Sequence, residues 1–321
     1  MKLKFLIFGI AALLGLNAAA QADKKWKHEI TVAQDGSGDY TTVSDALDGI
    51  RAYMDYNVTV NIRNGVYKEK IVIPSWLKNV TFEGESADST IITFDHHANI
   101  DNMGTFRTYT VKVEASNMTF RNLTIENNAP QLGQAVALHT EGDKLQFYNC
   151  RLLGNQDTLF TGGKNMRLYF SECYIEGTTD FIFGPATAYF KDCTIHSKRN
   201  SYITAASTPD DVKVGYVFDN CRLTAADGVD KVYLGRPWRP YAHTAFINCE
   251  MGQHIVAEGW HNWRNPDNEK TARYCEYRST GPGASPATRV EWSRQLSDKE
   301  AAELLDVTNV FTQHSTWTPG E

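Results

Sequence analysis

The chain has no Gly-rich phosphate loop and no Gly-x-Ser-x-Gly elbow, which removes the common routes to nucleotide chemistry and serine-based acyl transfer. No Pro/Ser linker and no block of like charge divides it, so most of the chain reads as one domain. Beyond the first residues no apolar run is long enough to cross a membrane. His96 and His97 lack further ligands at metal-binding spacing and read as an exposed loop pair. No cluster of acids resembles a calcium site. Neither a metal nor a cofactor is expected.

What is present starts with a leader. Lys2 and Lys4 precede an apolar run from Phe5 to Leu16, followed by small residues through Ala22. This pattern predicts a cleavable signal peptide of bacterial type, cut after Ala20 or Ala22, rather than a retained anchor. Residues 1–22 are then the signal peptide and 23–321 the mature domain, secreted or periplasmic and free of the membrane once cut. Of 32 basic residues Lys2 and Lys4 leave with the leader, so 30 face 38 acidic ones and the net charge is about −8. That balance argues against a nucleic-acid partner. It does not exclude an acidic polysaccharide, because a basic residue in a cleft can outweigh the global field.

A short pattern recurs along the mature chain: an aromatic residue, a variable residue, Asn/Asp/Glu, Cys, a variable residue and an apolar one. It runs Phe147 to Leu152, Phe170 to Ile175, Phe190 to Ile195, Phe218 to Leu223 and Phe246 to Met251. Cysteine-free relatives precede it at Asn79–Phe82 and Asn117–Ile125. The cysteine intervals of 23, 20, 28 and 28 are too variable for propeller blades or helical repeats. They suit an all-β parallel β-helix, in which short strands of successive coils stack and loops vary in length. Cys and the apolar residue two places on share a strand face. The Phe three places earlier faces inward as well only if the chain bends between them, and Asn or Asp at that bend could satisfy backbone groups. Five cysteines at one rung position form an internal column, so the set reads as buried thiols rather than disulfides. Cys275 lies outside the pattern. Three Asn-x-Thr sequons, at Asn79, Asn117 and Asn122, fall at the repeat's corners and read as structural.

A solenoid needs its ends covered. Val43, Ala46, Leu47, Ile50 and Met54 follow helical spacing and predict a cap helix from about Thr42 to Met54. Ser297 and Glu300 form a capping-box pattern ahead of Ala301–Leu305, predicting a second helix on the other end or flank of the barrel.

Asp157 and Asp180 are 23 residues apart, the interval that separates Cys150 from Cys173, and each lies seven residues beyond its rung cysteine. Equivalent positions on adjacent coils stack about one strand spacing, ~4.8 Å, apart. Two carboxylates so close do not both ionise readily, and the split supplies one acid and one base or nucleophile.

Five segments stand out: Gly65–Glu69, Gln134–Leu138, Gln156–Leu159, Asp180–Gly184 and Leu234–Trp238. Together, and in this order, they resemble the signature set of the pectin methylesterase (pectinesterase) family, with the resemblance running from about Ile30 to Val310. It implies a right-handed parallel β-helix that removes methyl esters from the C6 carboxyl of galacturonate in pectin, a methyl-esterified homogalacturonan. On that resemblance Asp180 is the nucleophile, Asp157 the general acid and base, Gln134 and Gln156 the oxyanion donors, and Arg236 the partner that keeps Asp180 ionised. Trp238 presents a flat face to a sugar ring, Phe160 and Phe181 widen that platform, and Thr105 contacts substrate. Tyr67 and Glu69 read as structural, and Ile182 and Phe183 as core. Phe160 stands where many relatives carry tyrosine. The protein is expected as a monomer.

Other readings stay open from sequence. Paired aspartates on a β-helix also serve glycoside hydrolysis, so a polygalacturonase is one alternative and a pectate lyase another. A noncatalytic polysaccharide binder would keep the aromatic groove without the chemistry. Trp238 could also be simple packing.

Overall fold

A computed structural model describes residues 26–312 and 315–320; the predicted signal peptide lies outside them. Among the described residues, short strands assemble into three sheets of 11, 7 and 8 strands, each joined in parallel register from coil to coil. The chain visits the sheets in turn, so every coil adds one rung to each, the arrangement of a right-handed parallel β-helix.

The repeat forms the interior. Phe82, Phe120, Phe147, Phe170, Phe190, Phe218 and Phe246 are register partners on successive strands of the 11-stranded sheet. Their rings stack with centroids 4.4 to 5.0 Å apart and planes within 10° of parallel. The bend that follows is built from residues in the left-handed region. Asn122, Asn149, Glu172, Asp192, Asn220 and Asn248 all have φ between 47 and 55°, a conformation that Asn and Asp tolerate best. Their amides donate to the next coil, as in Asn149 to the Ser171 carbonyl at 3.0 Å. The side chains also form ladder contacts, with Asn149 Nδ2 donating to Asn122 Oδ1 at 2.8 Å and Asn220 Nδ2 to Asp192 Oδ1 at 2.6 Å. This bend turns both Phe and Cys into the core.

All six cysteines are free and buried. Five line the interior; Cys275 sits outside the barrel wall, paired in register with Ala245 and covered by the C-terminal helices.

The N-terminal cap helix α1 (Val43–Asp48) is shorter than helical spacing predicts. Gly49 ends it where a Cβ would collide with the Tyr40 hydroxyl, although Ile50 and Met54 remain buried beyond it. Glu69 accepts from the Val43 and Ser44 amides at 2.9 Å, satisfying two of the helix's unpaired donors. Tyr67 is buried and donates to the Arg63 carbonyl. Both residues of that motif are structural.

At the other end, Trp260 and Tyr274 stack at 4.2 Å and a buried Arg289–Glu276 pair closes the barrel. The predicted capping box is formed at α2 (Asp298–Leu305), which with α3 (Val307–Phe311) packs on the barrel's flank over Tyr189, Val217 and Ala245.

Candidate active site

The site lies on the outer face of the seven-stranded sheet. Phe160 pairs with His139 on one side and Phe183 on the other, and Phe183 pairs with Ala205, making an outward row along the barrel. Asp157 and Asp180 each stand two residues before a strand, Leu159–Thr161 and Ile182–Gly184, whose register pairs Leu159 with Ile182. Both aspartates adopt left-handed φ, 66 and 50°. Their amides donate to Thr179 and Tyr202 carbonyls of the following coils. Equal position and equal backbone conformation therefore set the two carboxyls side by side on adjacent coils.

Their environments differ. Arg236, directly after strand Tyr233–Gly235, forks onto Asp180: Nε to Oδ1 at 3.0 Å and Nη2 to Oδ2 at 2.7 Å. Its guanidinium carbon lies 3.9 Å from the Tyr202 ring centroid and 3.7 Å from that of Trp263, so two aromatic faces hold the fork in place. Asp157 has no hydrogen-bonding partner for its side chain among the described residues. Burial raises its pKa well above the usual carboxylate range, the Asp180 charge raises it further, and Arg236 opposes both. Burial also raises Asp180, but there the Arg236 hydrogen bonds and charge pull down directly. The Arg236 fork thus favours the charged form at Asp180, and burial without a partner favours the protonated form at Asp157.

Gln156 adjoins Asp157, and Gln134 comes from the preceding coil, where the Ala135 amide donates to the Gln156 carbonyl at 3.0 Å. Both glutamines are half-buried, and neither side-chain amide has a protein partner among the described residues. Neither amide is engaged as a donor to another protein group among the described residues.

Around these groups lies an aromatic groove. Phe160 and Phe183 form a cluster with Val136 and Ala205, against which Tyr109, Trp238 and Trp263 pack. Trp238 meets Phe183 edge-on at 5.8 Å. Thr105 opens a 3-10 turn, Thr105–Arg107. Its exposed neighbour Phe106 contacts Phe160 at 4.9 Å.

One expected platform residue is elsewhere. Phe181 is fully buried inside the barrel, whereas Phe183, buried as expected, packs with Phe160 in a separate cluster on the outer face of the sheet. Alternation back from Phe183 would put Phe181 outside; the left-handed bend at Asp180 rotates it inward. Tyr202, Trp263, Phe106, Tyr109 and His139 were not anticipated. Tyr202 lies one coil beyond Asp180, so counting rungs could have found it. Trp263 sits in an irregular loop with no rung to count from.

A buried carboxyl without a side-chain partner beside a guanidinium-bound carboxylate, among aromatic rings on a parallel β-helix, marks the chain as a solenoid enzyme with a paired-carboxyl site. The family model described as Pectinesterase matches residues 29–314, and the chain belongs to that family. It is 39% identical over 287 residues to Pectinesterase 31 of Arabidopsis thaliana, covering 86% of this chain and 90% of the relative. Against some other curated relatives it spans about half their length, 54% in one case. The structure superposes on pectin methylesterase from carrot with a TM-score of 0.81 at 33% identity, covering 86% and 90% of the two chains. For pectin methylesterase PemA from Erwinia chrysanthemi the values are 0.79, 29%, 92% and 99%.

Proposed function

We propose that the protein hydrolyses the C6 methyl esters of galacturonate in pectin, and that Asp180 and Asp157 divide the chemistry. Asp180 attacks the ester carbonyl carbon, and the negative charge passes to the carbonyl oxygen, where the Gln134 and Gln156 amides donate to it. Collapse breaks the C6–methoxy bond as Asp157 gives its proton to the departing oxygen, releasing methanol and leaving an Asp180–C6 anhydride. Asp157, now a carboxylate, takes a proton from water as that water attacks C6. Asp180 leaves as a carboxylate, the product acid loses its proton to solvent, and the pair returns to its starting state.

The single observation that carries this reading is the inequality of the two aspartates: one forked by Arg236, the other buried without a partner. Trp238 and Phe160 supply apolar faces for sugar rings, backed by the buried Phe183, and Thr105 stands beside Phe106. The leader pattern supports export, to the periplasm or the exterior of a bacterium.

The test is methanol release from highly methylated pectin at constant pH. The wild type should release methanol and acid in equal amounts without shortening the chain. Asp180→Asn should lower the rate by at least about 10³-fold while retaining pectin binding. Chain shortening or unsaturated products would overturn the reading, as would an active Asp180→Asn variant.

A further inference from the structure

The Arg236 fork is backed by a loop that has no place in the coil repeat. After the buried Trp260, residues 261–264 run beside strand Tyr233–Gly235, which ends just before Arg236. The His261 amide ties the loop there by donating to the Gly235 carbonyl at 3.1 Å. Trp263 and Arg264 then adopt φ of 60 and 57°, a left-handed stretch that bulky side chains rarely take. Side chains two residues back hold it. His261 Nδ1 accepts from the Trp263 amide at 3.0 Å, and Asn262 Oδ1 accepts from the Arg264 amide at 2.8 Å. Asn262 is fixed in turn, its Nδ2 donating to Glu269 Oε1 at 2.7 Å. One imidazole nitrogen thus secures the backbone of Trp263.

That hold reaches the reacting pair. The Trp263 ring centroid lies 3.7 Å from the Arg236 guanidinium carbon, and the same guanidinium forks onto Asp180. The His261 ring also packs 5.3 Å from Tyr202, the other aromatic cover of the guanidinium, and 5.4 Å from Tyr233. Accepting from an amide requires Nδ1 without a proton, so His261 is neutral here and carries its proton on Nε2. The charges that face it are Arg236, from the end of the neighbouring strand, and Arg264, from its own loop. The phenols of Tyr202 and Tyr233 face it as well, and the Glu258 charge acts on Tyr233. Burial disfavours the imidazolium, the two arginines add to that, and the His261 pKa is lowered. A proton added at Nδ1 would turn the acceptor into a donor aimed at the Trp263 N–H and set a further cation near Arg236.

We propose that His261 is a positioning residue: as a neutral imidazole it holds the Trp263 amide, which keeps the Trp263 ring on Arg236 and the Arg236 fork on Asp180, and its protonation in acid releases that chain of contacts. The inference rests on the esterase reading, since it assumes that Asp180 must be ionised to attack. The acid limb of the rate profile then carries two protons, one taken up at Asp180 and one at His261, the second below the ordinary histidine value of about 6.5. Turnover falls more steeply in acid than Asp180 alone would dictate.

The experiment pairs kinetics with spectroscopy. Methanol-release kcat and KM are measured from acid to neutral pH for the wild type, His261→Ala and His261→Asn. Alanine removes the acceptor and should lower kcat about fivefold at neutral pH, the effect of one lost hydrogen bond. Asparagine can accept from an amide two residues on without titrating, as Asn262 does for Arg264, and should restore most of that loss. Its acid limb should be shallower than the wild-type limb by one proton. In NMR spectra of the wild type, the Trp263 indole N–H, assigned with Trp263→Phe, should shift as the His261 ring titrates. That step should be gone in His261→Asn. The spectroscopic arm needs neither substrate nor the alanine variant, so it decides the matter even if His261→Ala fails to fold. Equal losses for alanine and asparagine, an acid limb unchanged in His261→Asn, or an indole that ignores the His261 titration would overturn the proposal. Absence of methanol release from the wild type would instead refute the esterase reading, while the indole titration still decides whether His261 governs Trp263.

Discussion

Asp157 and Asp180 occupy the same register position on adjacent coils with the same left-handed backbone, yet only Asp180 is gripped by Arg236. The repeat makes the two residues geometrically equivalent. One guanidinium, delivered from farther along the chain, makes them chemically different. The pH behaviour, the response to substitution and the division of roles follow from that asymmetry.

The first prediction concerns pH. The folded state raises the Asp157 pKa, so the native protein binds a proton that the unfolded chain has released. Its contribution to stability is fully present below the ordinary aspartate value, about 3.9, and is lost as pH rises through the folded-state value. Asp157→Asn stays neutral throughout. The melting temperature of this variant relative to wild type should therefore climb as pH is raised, in melts recorded from acid to neutral pH. A difference independent of pH would show that Asp157 does not hold the proton. Wild-type turnover should also fall on the alkaline side, where Asp157 loses the proton it must donate.

Arg236→Lys keeps the charge and removes the fork as well as the planar face packed against Tyr202 and Trp263. We expect kcat to fall about 10²-fold with little change in KM. The acid limb of the pH–rate profile should move to higher pH, because the fork opposes the burial that raises Asp180. A lower kcat with an unmoved acid limb would mean that Arg236 acts on something other than the charge of Asp180.

The two phenylalanines after Asp180 separate by effect. Phe181→Ala empties a site inside the barrel and should cost about 3–5 kcal/mol of stability, read in thermal or denaturant melts, with KM little changed. Phe183→Ala should cost less stability and raise KM for polymeric pectin. The reverse pattern would return Phe181 to the groove.

Six buried free thiols imply a protein indifferent to reductant. Dithiothreitol should leave the melting temperature unchanged. A thiol-reactive dye should label no cysteine quickly in the native state and all six after unfolding. Fewer than six on unfolding without reductant would reveal a disulfide.

Much of this molecule is legible along the chain because a solenoid converts sequence interval into spatial adjacency. The Phe-x-Asn-Cys rungs disclose coils, and the shared interval of 23 residues places Asp157 beside Asp180. The capping box at Ser297 is equally local, two side chains answering backbone donors three residues away. Helix α1 is a case where local periodicity overreaches: burial of Ile50 and Met54 keeps the helical spacing, but the helix itself ends at Asp48.

What the sequence by itself determined is the order of the coils, the inward column of phenylalanine and cysteine, and the pairing of two acids, because strand stacking depends only on period and register. The tertiary structure alone made the two acids unequal, since that depends on burial and on where Arg236 reaches. It also decided which aromatic residues face the groove, since a left-handed bend at one residue reverses the face of the next, and a loop residue such as Trp263 has no period to betray it.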